Sequence, residues 1–426
     1  MSSVEKSVSG EYGTPEEIIT ILQHFRDTLM ELFLSVGIDP SATRASAREL
    51  GLSKDIFWRV ARITLVEDIL TYSSQIPPRK SVERVIRAIE KKGVSPEPVN
   101  KVRQAMQNFE RMVIKSSSDR DTFEIMLQGL SSNNITRRQE GIRKQAFLAN
   151  SSIWGVQAQT AFKAFFMIPS ENETDLIDLA NLSGLLELRR LRQVAWPIYQ
   201  RKIYDDKGIA YMQTTETIED IPETAGGMPI IPGFCSKPLP KIRWRSNETG
   251  RYYEIEPDLI GNAGAVTCVF GGIARHSASR YRDESNLRGG LIFELFTPVE
   301  FVMVDLFIHR DLPFTMPPEV SLFDRLSCPR GYNPDMDEKR QLPHSNEVVS
   351  LGSGTTGCST HRIPGYLNML DKVTSKLGYA SEEFSAFRFS MNFPPIPSAV
   401  IMRFDLLEPP NTVSSLKSLN TLRHSS

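Results

Sequence analysis

AQTAFKAFFMI, residues Ala158 to Ile168, is the stretch where the chain changes its period. Ala158, Thr160, Phe162, Ala164, Phe166 and Ile168 fall on every second position, which in an extended chain puts them on one face of a strand. Before it, apolar residues recur at steps of three and four. After it, short apolar runs are separated by turn residues. The architecture is therefore expected to switch near Asn150, from helices to strands.

Downstream, Asp205-Asp206-Lys207-Gly208 lies between apolar runs in Arg201 to Tyr211, and Asn247-Glu248-Thr249-Gly250 does the same in Lys241 to Ile255. Both predict hairpins with four-residue loops ending in glycine. Leu291–Phe296 and Val299–Ile308 flank Thr297-Pro298 and are apolar on nearly both faces, so both are expected as central, covered strands. Phe387, Phe389, Met391 and Phe393 alternate with polar residues, and Val400, Met402, Phe404 and Leu406 alternate again after PPIPS. These two predict a last hairpin with one wet face. One helix is expected at Ile363 to Leu377, and Asp311 to Asn346 reads as a long loop. Such strands argue for a mainly antiparallel β-sandwich or jelly-roll-like domain.

Upstream, Thr14 and Glu17 have capping-box spacing ahead of the stripe Ile18, Ile19, Leu22, Phe25, Leu29 and Leu32. Further helices are expected at Ser81–Lys92, from Ser95-Pro96 to about Lys115, and at Asp121–Leu130. Ile135 to Leu148 carries Arg137, Arg138, Arg143 and Lys144 and reads as a basic linker helix. The expected fold is α+β and multidomain. Residues 1–13 are disordered, 14–130 form an all-α domain, 131–150 the linker helix, 151–407 the β domain, and 408–426 a disordered tail.

Within the helical domain, TRASARELGLSKDIFWRVARI, Thr43 to Ile63, reads as two short helices joined by a tight turn. Ala47, Leu50, Phe57 and Val60 share a buried side, Gly51 tolerates the positive φ of the turn, and Ser53 suits the N-cap of the second helix. The small residue, glycine, cap and apolar residue fall at the offsets of the helix-turn-helix of DNA-binding proteins, and the stretch resembles that superfamily over these residues alone. The resemblance implies that the second helix enters the major groove of double-stranded DNA, with Ser53, Lys54, Asp55, Trp58, Arg59 and Arg62 facing it. Phe57 departs from the β-branched residue usual in the motif, and Trp58 is large for a groove contact. The implied function is transcriptional regulation by a homodimer, the β domain sensing a ligand, oligomerising or contacting a protein partner. Two alternatives remain open: a non-enzymatic interaction or assembly protein whose helical domain binds protein, and an enzyme working in the β domain around Cys358 and His361.

Composition bounds these readings. The 426 residues are 40% hydrophobic and 24% charged, ordinary for a soluble globular protein, and a net charge of −1 excludes a basic nucleic-acid coat. No apolar run is long enough to span a bilayer, so no membrane is expected. Cys235, Cys268, Cys328 and Cys358 show no Cys-x-x-Cys pair and no disulfide framework, which fits a cytoplasmic protein with reduced thiols.

Gly352, Gly354 and Gly357 match a phosphate-loop pattern, but Cys358 stands where that loop needs lysine, so a flexible surface loop is expected. Cys358, His361, His344 and Cys328 lack the spacing of a zinc finger. His309-Arg310-Asp311 reads as a strand end turning into a loop. His276, Arg275, Arg280 and Arg282 form a basic cluster read as a solvated loop. No catalytic residue, metal ion or cofactor is expected.

Overall fold

The computed structural model describes residues 15–66, 76–116, 122–123, 135–201, 203–204, 210–211, 215–247, 250–283, 287–312, 314, 317–326 and 340–409. The expected disordered end 1–13, the expected tail beyond Pro409, the Thr14 cap and nearly all of the expected Asp121–Leu130 helix lie outside them. Clustering of contacts divides the chain into two units, Met1–Ile135 and Thr136–Ser426.

The first unit is helical throughout its described residues. Helix α1 (Pro15–Ser35) buries Ile18, Leu22, Phe25, Leu29 and Leu32 of the expected stripe, and leaves Ile19 half-buried. It packs on α5 (Pro96–Ser116), with Phe25 and Phe109 stacked at 6.1 Å. Between them run α2 (Thr43–Glu49), α3 (Lys54–Ala61) and α4 (Arg79–Glu90). Gly51 closes α2 at φ +63, where a β-carbon would be strained, and Leu52 N–H then reaches Ala47 O at 2.9 Å. Phe57 is fully buried against Phe33, at 5.6 Å, worth about 1.5–3 kcal/mol of transfer energy. Ser53 caps α3 by accepting Ile56 N–H at 3.4 Å. One expectation is corrected: α3 stops at Ala61, and Arg62–Leu65 tightens into a 3-10 turn.

The second unit opens with α6 (Ile135–Trp154), which docks through Phe147 on Phe393 and Arg143 on Asn392 O. A seven-stranded sheet follows, in the order β13 (Val349–Ser353), β14 (Phe384–Asn392), β11 (Val299–His309), β1 (Val156–Pro169), β2 (Leu176–Arg190), β9 (Val266–Ser279) and β6 (Thr215–Thr217). Only β1 and β11 in this sheet pair parallel; the other neighbours are antiparallel. A second sheet, β10 (Arg288–Leu295), β15 (Ser398–Asp405) and β12 (Glu319–Asp324), shares its core: Leu291, Leu295, Leu322, Val400, Met402 and Phe404 join the cluster built on Phe162, Phe165, Val302 and Leu306. A third sheet is β3 (Trp196–Arg201), β8 (Gly250–Ile255) and β7 (Ile242–Asn247), and β4 (Ile203–Tyr204) pairs with β5 (Ala210–Tyr211). The fold is thus α+β with mostly antiparallel sheets.

Strand positions were legible and strand partners were not. Leu291–Phe296 and Val299–Ile308 do not sit together: β10 is an edge strand of the small sheet and β11 is central in the large one. The expected last hairpin is split in the same way, β14 in the large sheet and β15 in the small one. Thr297-Pro298 and Pro394-Pro395-Ile396-Pro397 make the two crossings, and proline, lacking an N–H, ends a ladder where the chain changes sheets. Asn247 pairs with Gly250, so the β7–β8 hairpin closes on two residues rather than four. The expected long loop contains β12. The last helix, α7 (Tyr366–Leu377), lies over the Phe162 face of β1, with Tyr366 at 5.7 Å from that ring.

Inside the large sheet Asp305 is fully buried and gripped by Arg388 Nε and Nη2 at 2.8 and 2.7 Å, and Tyr366 Oη donates to it at 2.8 Å. Arg388 also donates to Cys358 O at 2.7 Å, which ties the segment before α7 to the sheet.

Candidate functional site at the polar end of the large sheet

Because β1 and β11 run parallel, their C-terminal ends emerge on one side. The antiparallel neighbours bring the start of β2, the last part of β9 and the start of β14 to that same side. Ser170, Asp178, Arg275, His276, His309 and Glu383 are gathered there by topology alone.

The centre is a bulge. The β2–β9 pairing steps from Leu179 opposite Ala274 to Ile177 opposite Ala278, so Asp178 faces three residues of β9. His276, in the middle, sits at φ +50, a left-handed conformation costing a non-glycine residue about 1–2 kcal/mol. Asp178 holds the bulge in place. Its Oδ1 accepts the Ser170 hydroxyl at 2.5 Å and His276 N–H at 2.8 Å, and its Oδ2 accepts Arg275 Nη1 at 2.8 Å. Arg275 also makes a fork to both oxygens of Glu216, each at 3.0 Å. Burial alone would raise the Asp178 carboxyl; the bonds from Arg275, Ser170 and His276 more than reverse it and hold it below the usual carboxylate range.

Ser170 Oγ is also 2.8 Å from His276 Nδ1. A serine hydroxyl has one proton, and the shorter bond assigns it to Asp178. Nδ1–H then donates to Ser170, which leaves Nε2 as the acceptor of an exposed ring. Serine, histidine and aspartate are thus together but wired in the order Asp178–Ser170–His276. A hydrolase needs histidine between the other two, and a serine free to attack. Ser170 is 6% exposed and gives its proton to a carboxylate, so it is no nucleophile.

Beyond the bulge, His309 ends β11 and is buried between the rings of Tyr379, at 4.6 Å, and Phe384. Its Nδ1 accepts Asp311 N–H at 3.3 Å, and its Nε2, without a hydrogen-bond partner, is 3.8 Å from Glu383 Oε1. Arg310 pairs with Glu383 at 2.8 Å, and Arg280 donates to Asp311 O at 2.6 Å. Burial raises the Tyr379 hydroxyl first, and the charges of Glu171, Asp178, Glu383 and Asp311 raise it further, so this phenol stands among carboxylates. The loop from β1 to β2 adds exposed Glu171, Glu173 and Asp175.

Of the other sequence candidates, Cys328 lies outside the described residues. The Arg275, Arg280 and Arg282 cluster is not a solvated basic loop: Arg275 and Arg280 are engaged as above and Arg282 pairs with Glu408. The Gly352–Gly357 stretch is not a flexible loop either, because β13 pairs with β14 there and Cys358 is fully buried. Burial pushes the Cys358 thiol up to about 12, with the Asp305 charge adding to it, so Cys358 is no nucleophile, and His361 is exposed beside it. His344 rests on Asn346 O and the edge of Phe389. His309-Arg310-Asp311 is the strand end expected. Among the described residues no group of three or more His, Cys, Asp or Glu is placed to hold a metal ion.

In the helical unit, Ser53, Lys54, Asp55 and Arg59 are exposed and Trp58 is 44% exposed. Arg62 is only partly exposed and lies over the Trp58 ring, 4.7 Å from its centroid.

No family model matches the chain, and no curated protein matches it. Solved structures similar to it include a candidate protease from Parabacteroides distasonis, with 9% identity over 64% of this chain and 44% of that one, at a TM-score of 0.24. A two-domain M1 zinc metallopeptidase bound to L-tryptophan has 8% identity over 58% and 43%, also at 0.24. The M1 zinc metallopeptidase from Deinococcus radiodurans has 8% identity over 58% and 42%, at 0.20. The chain spans less than half the length of each of these structures. The expectation of a DNA-binding transcriptional regulator is corrected: the similar structures are a candidate protease and M1 zinc metallopeptidases, and nothing in the comparisons supports contact with DNA. Scores this low also carry no peptidase activity to this chain, whose sequence contains no His-Glu-x-x-His. No helix among the described residues is long and apolar enough to cross a membrane.

Proposed function

We propose that the β unit is a non-enzymatic binding module that takes a positively charged partner, a lysine- or arginine-rich peptide segment, at the polar end of its large sheet. The observation that carries the reading is His276. It is exposed, held in a strained backbone conformation and fixed through Nδ1 to Ser170, and in its neutral form the ring offers Nε2 as an acceptor. Strain retained by a dedicated carboxylate is a feature of functional positions. The rim around it carries Glu171, Glu173, Asp175, Glu216, Asp311 and Glu383 against Arg275, Arg280 and Arg310. An acceptor nitrogen inside a negative rim suits groups that carry only donors, which ammonium and guanidinium groups do.

Calorimetric titration of the full chain with a Lys/Arg-rich peptide, and with the same peptide carrying glutamates in place of its basic residues, tests this. The basic peptide is expected to bind, to weaken several-fold when salt rises from 0.1 to about 0.5 M as charge pairs are screened, and to lose binding on His276→Ala. Equal binding of both peptides, or no binding of the basic one, overturns the reading.

A further inference from the structure

Residues 229–236 run beside β9 as an irregular extra edge. Ile230 bridges Phe270, Ile231 N–H donates to Val269 O at 2.8 Å, and Ser236 N–H donates to Thr267 O at 2.9 Å. Ser236 Oγ in turn accepts Thr267 N–H at 2.7 Å. A 3-10 turn at Pro232–Phe234 breaks the regular register, and the bonds to Thr267 and Val269, on either side of Cys268, bring Cys235 beside that residue. Cys235 Sγ lies against the Val269 backbone, next in the chain to Cys268, and both cysteines are free and buried.

The pair is unequal. Cys235 is 8% exposed and its Sγ accepts Val269 N–H at 3.3 Å, a bond that favours the thiolate. Cys268 is 1% exposed, wholly inside the core. The neighbouring Cys268 thiol, the Val269 N–H and the Lys237 charge lower the Cys235 thiol against the cost of burial. The neighbouring Cys235 and burial raise the Cys268 thiol. One sulfur is ready to attack and the other is ready to follow.

We propose that Cys235 and Cys268 are a hydroperoxide-reactive pair, in which Cys235 is oxidised first and Cys268 resolves it to a disulfide. The Cys235 thiolate attacks one peroxide oxygen. The O–O bond breaks, the second oxygen leaves as hydroxide or alkoxide and takes up a proton, and Cys235 becomes a sulfenic acid. The Cys268 sulfur then attacks the Cys235 sulfur. The S–O bond breaks, water leaves with the proton of Cys268, and the S–S bond forms. With hydrogen peroxide, two thiols and one peroxide give one disulfide and two waters, the peroxide being reduced and the sulfurs oxidised. The product staples residues 229–236 to β9.

The full chain is treated with one equivalent of hydrogen peroxide, alkylated under denaturing conditions, digested and mapped by mass. Loss of two free thiols and a linked peptide containing Cys235 and Cys268 is the expected result. In Cys268→Ser, Cys235 is expected to stop at a sulfenic acid that dimedone traps. In Cys235→Ser, Cys268 is expected to stay reduced. If either variant fails to fold, the map of the unaltered chain decides alone. Both thiols recovered as alkylated peptides, or Cys268 oxidised equally well without Cys235, overturns the proposal.

Discussion

Asp178 and Asp305 are both carboxylates inside the β unit, 2% and 0% exposed, and each is held by an arginine. Their surroundings separate them. Of the partners of Asp305, Tyr366 is buried and the Arg388 side chain is 14% exposed, and the bonds end on protein atoms that link the sheet to the segment before α7. Arg275, the partner of Asp178, is 33% exposed in its side chain, shares itself with Glu216 at the surface, and stands next to an exposed, strained histidine. An enclosed pair organises the fold. A pair that stands behind an exposed group organises a surface. Burial of a charge does not tell the two apart; the residues one bond further out do.

The largest effect is expected at the enclosed pair. Arg388→Ala leaves Asp305 buried without its cation, and removing one partner of a buried pair costs about 3–5 kcal/mol. Urea unfolding should show a correspondingly lower midpoint with an unchanged slope. The joint change Asp305→Asn with Arg388→Met should recover most of the loss, because no charge is then left uncompensated. A loss below about 1 kcal/mol for Arg388→Ala would mean that water reaches Asp305 and that the contrast with Asp178 is wrong.

Asp178 is expected to matter less and to show its charge through pH. Asp178→Asn keeps the shape but weakens three bonds, at about 1–3 kcal/mol. The folded-state carboxyl lies below its ordinary value, so the stability that it contributes is complete above the unfolded value of about 3.9. That contribution is lost as pH falls through the lower folded value. The gap between the parent and Asp178→Asn should therefore be constant from pH 7 to about 5 and close in stronger acid. A gap that widens in acid would show that Asp178 is protonated in the folded chain.

The two carboxylates also mark how far a sequence reads. The stripe Ile18, Leu22, Phe25, Leu29 and Leu32 needs only its own helix to be interpreted, and it is buried as its spacing says. Ala158 to Ile168 likewise announces a strand. What it cannot announce is a partner 140 or so positions away, and the parallel contact with β11 is what brings Ser170 and His309 to one end. The splitting of β14 from β15 was hidden for the same reason, although PPIP between them was a visible signal that no tight hairpin forms. A signal for the site did exist: Asp178 stands alone among apolar residues in LIDLANL, and a strand seldom buries a carboxylate without a partner. Arg275 and His276 were seen, but only as charges in a loop. The register that sets them against Asp178 depends on a bulge, and the two extra residues of β9 there leave no trace in hydrophobic spacing. The thiol pair was hidden more deeply, since residues 229–236 follow β9 without strand periodicity of their own.

The smallest effect on stability is expected at His276, and it is the sharpest test of what the polar end does. His276→Gly relieves a left-handed residue, a gain of about 1–2 kcal/mol. Glycine in turn makes the unfolded chain more mobile, at about 0.5–1 kcal/mol, and the ring's bond to Ser170 is lost, at about 1 kcal/mol. These terms nearly cancel, while the backbone N–H that Asp178 accepts is kept. Glycine at this position should thus leave the unfolding midpoint close to that of the parent and still abolish binding of the basic peptide, because the acceptor nitrogen is gone. At the enclosed pair the order is reversed: Asp305→Asn with Arg388→Met should bind the peptide as well as the parent does. Parallel calorimetry and unfolding on these two variants separate a residue kept for its surface from residues kept for the fold. A glycine variant that loses stability by more than about 2 kcal/mol and binds the peptide normally would make His276 part of the architecture, and the distinction drawn between the two carboxylates would fall with it.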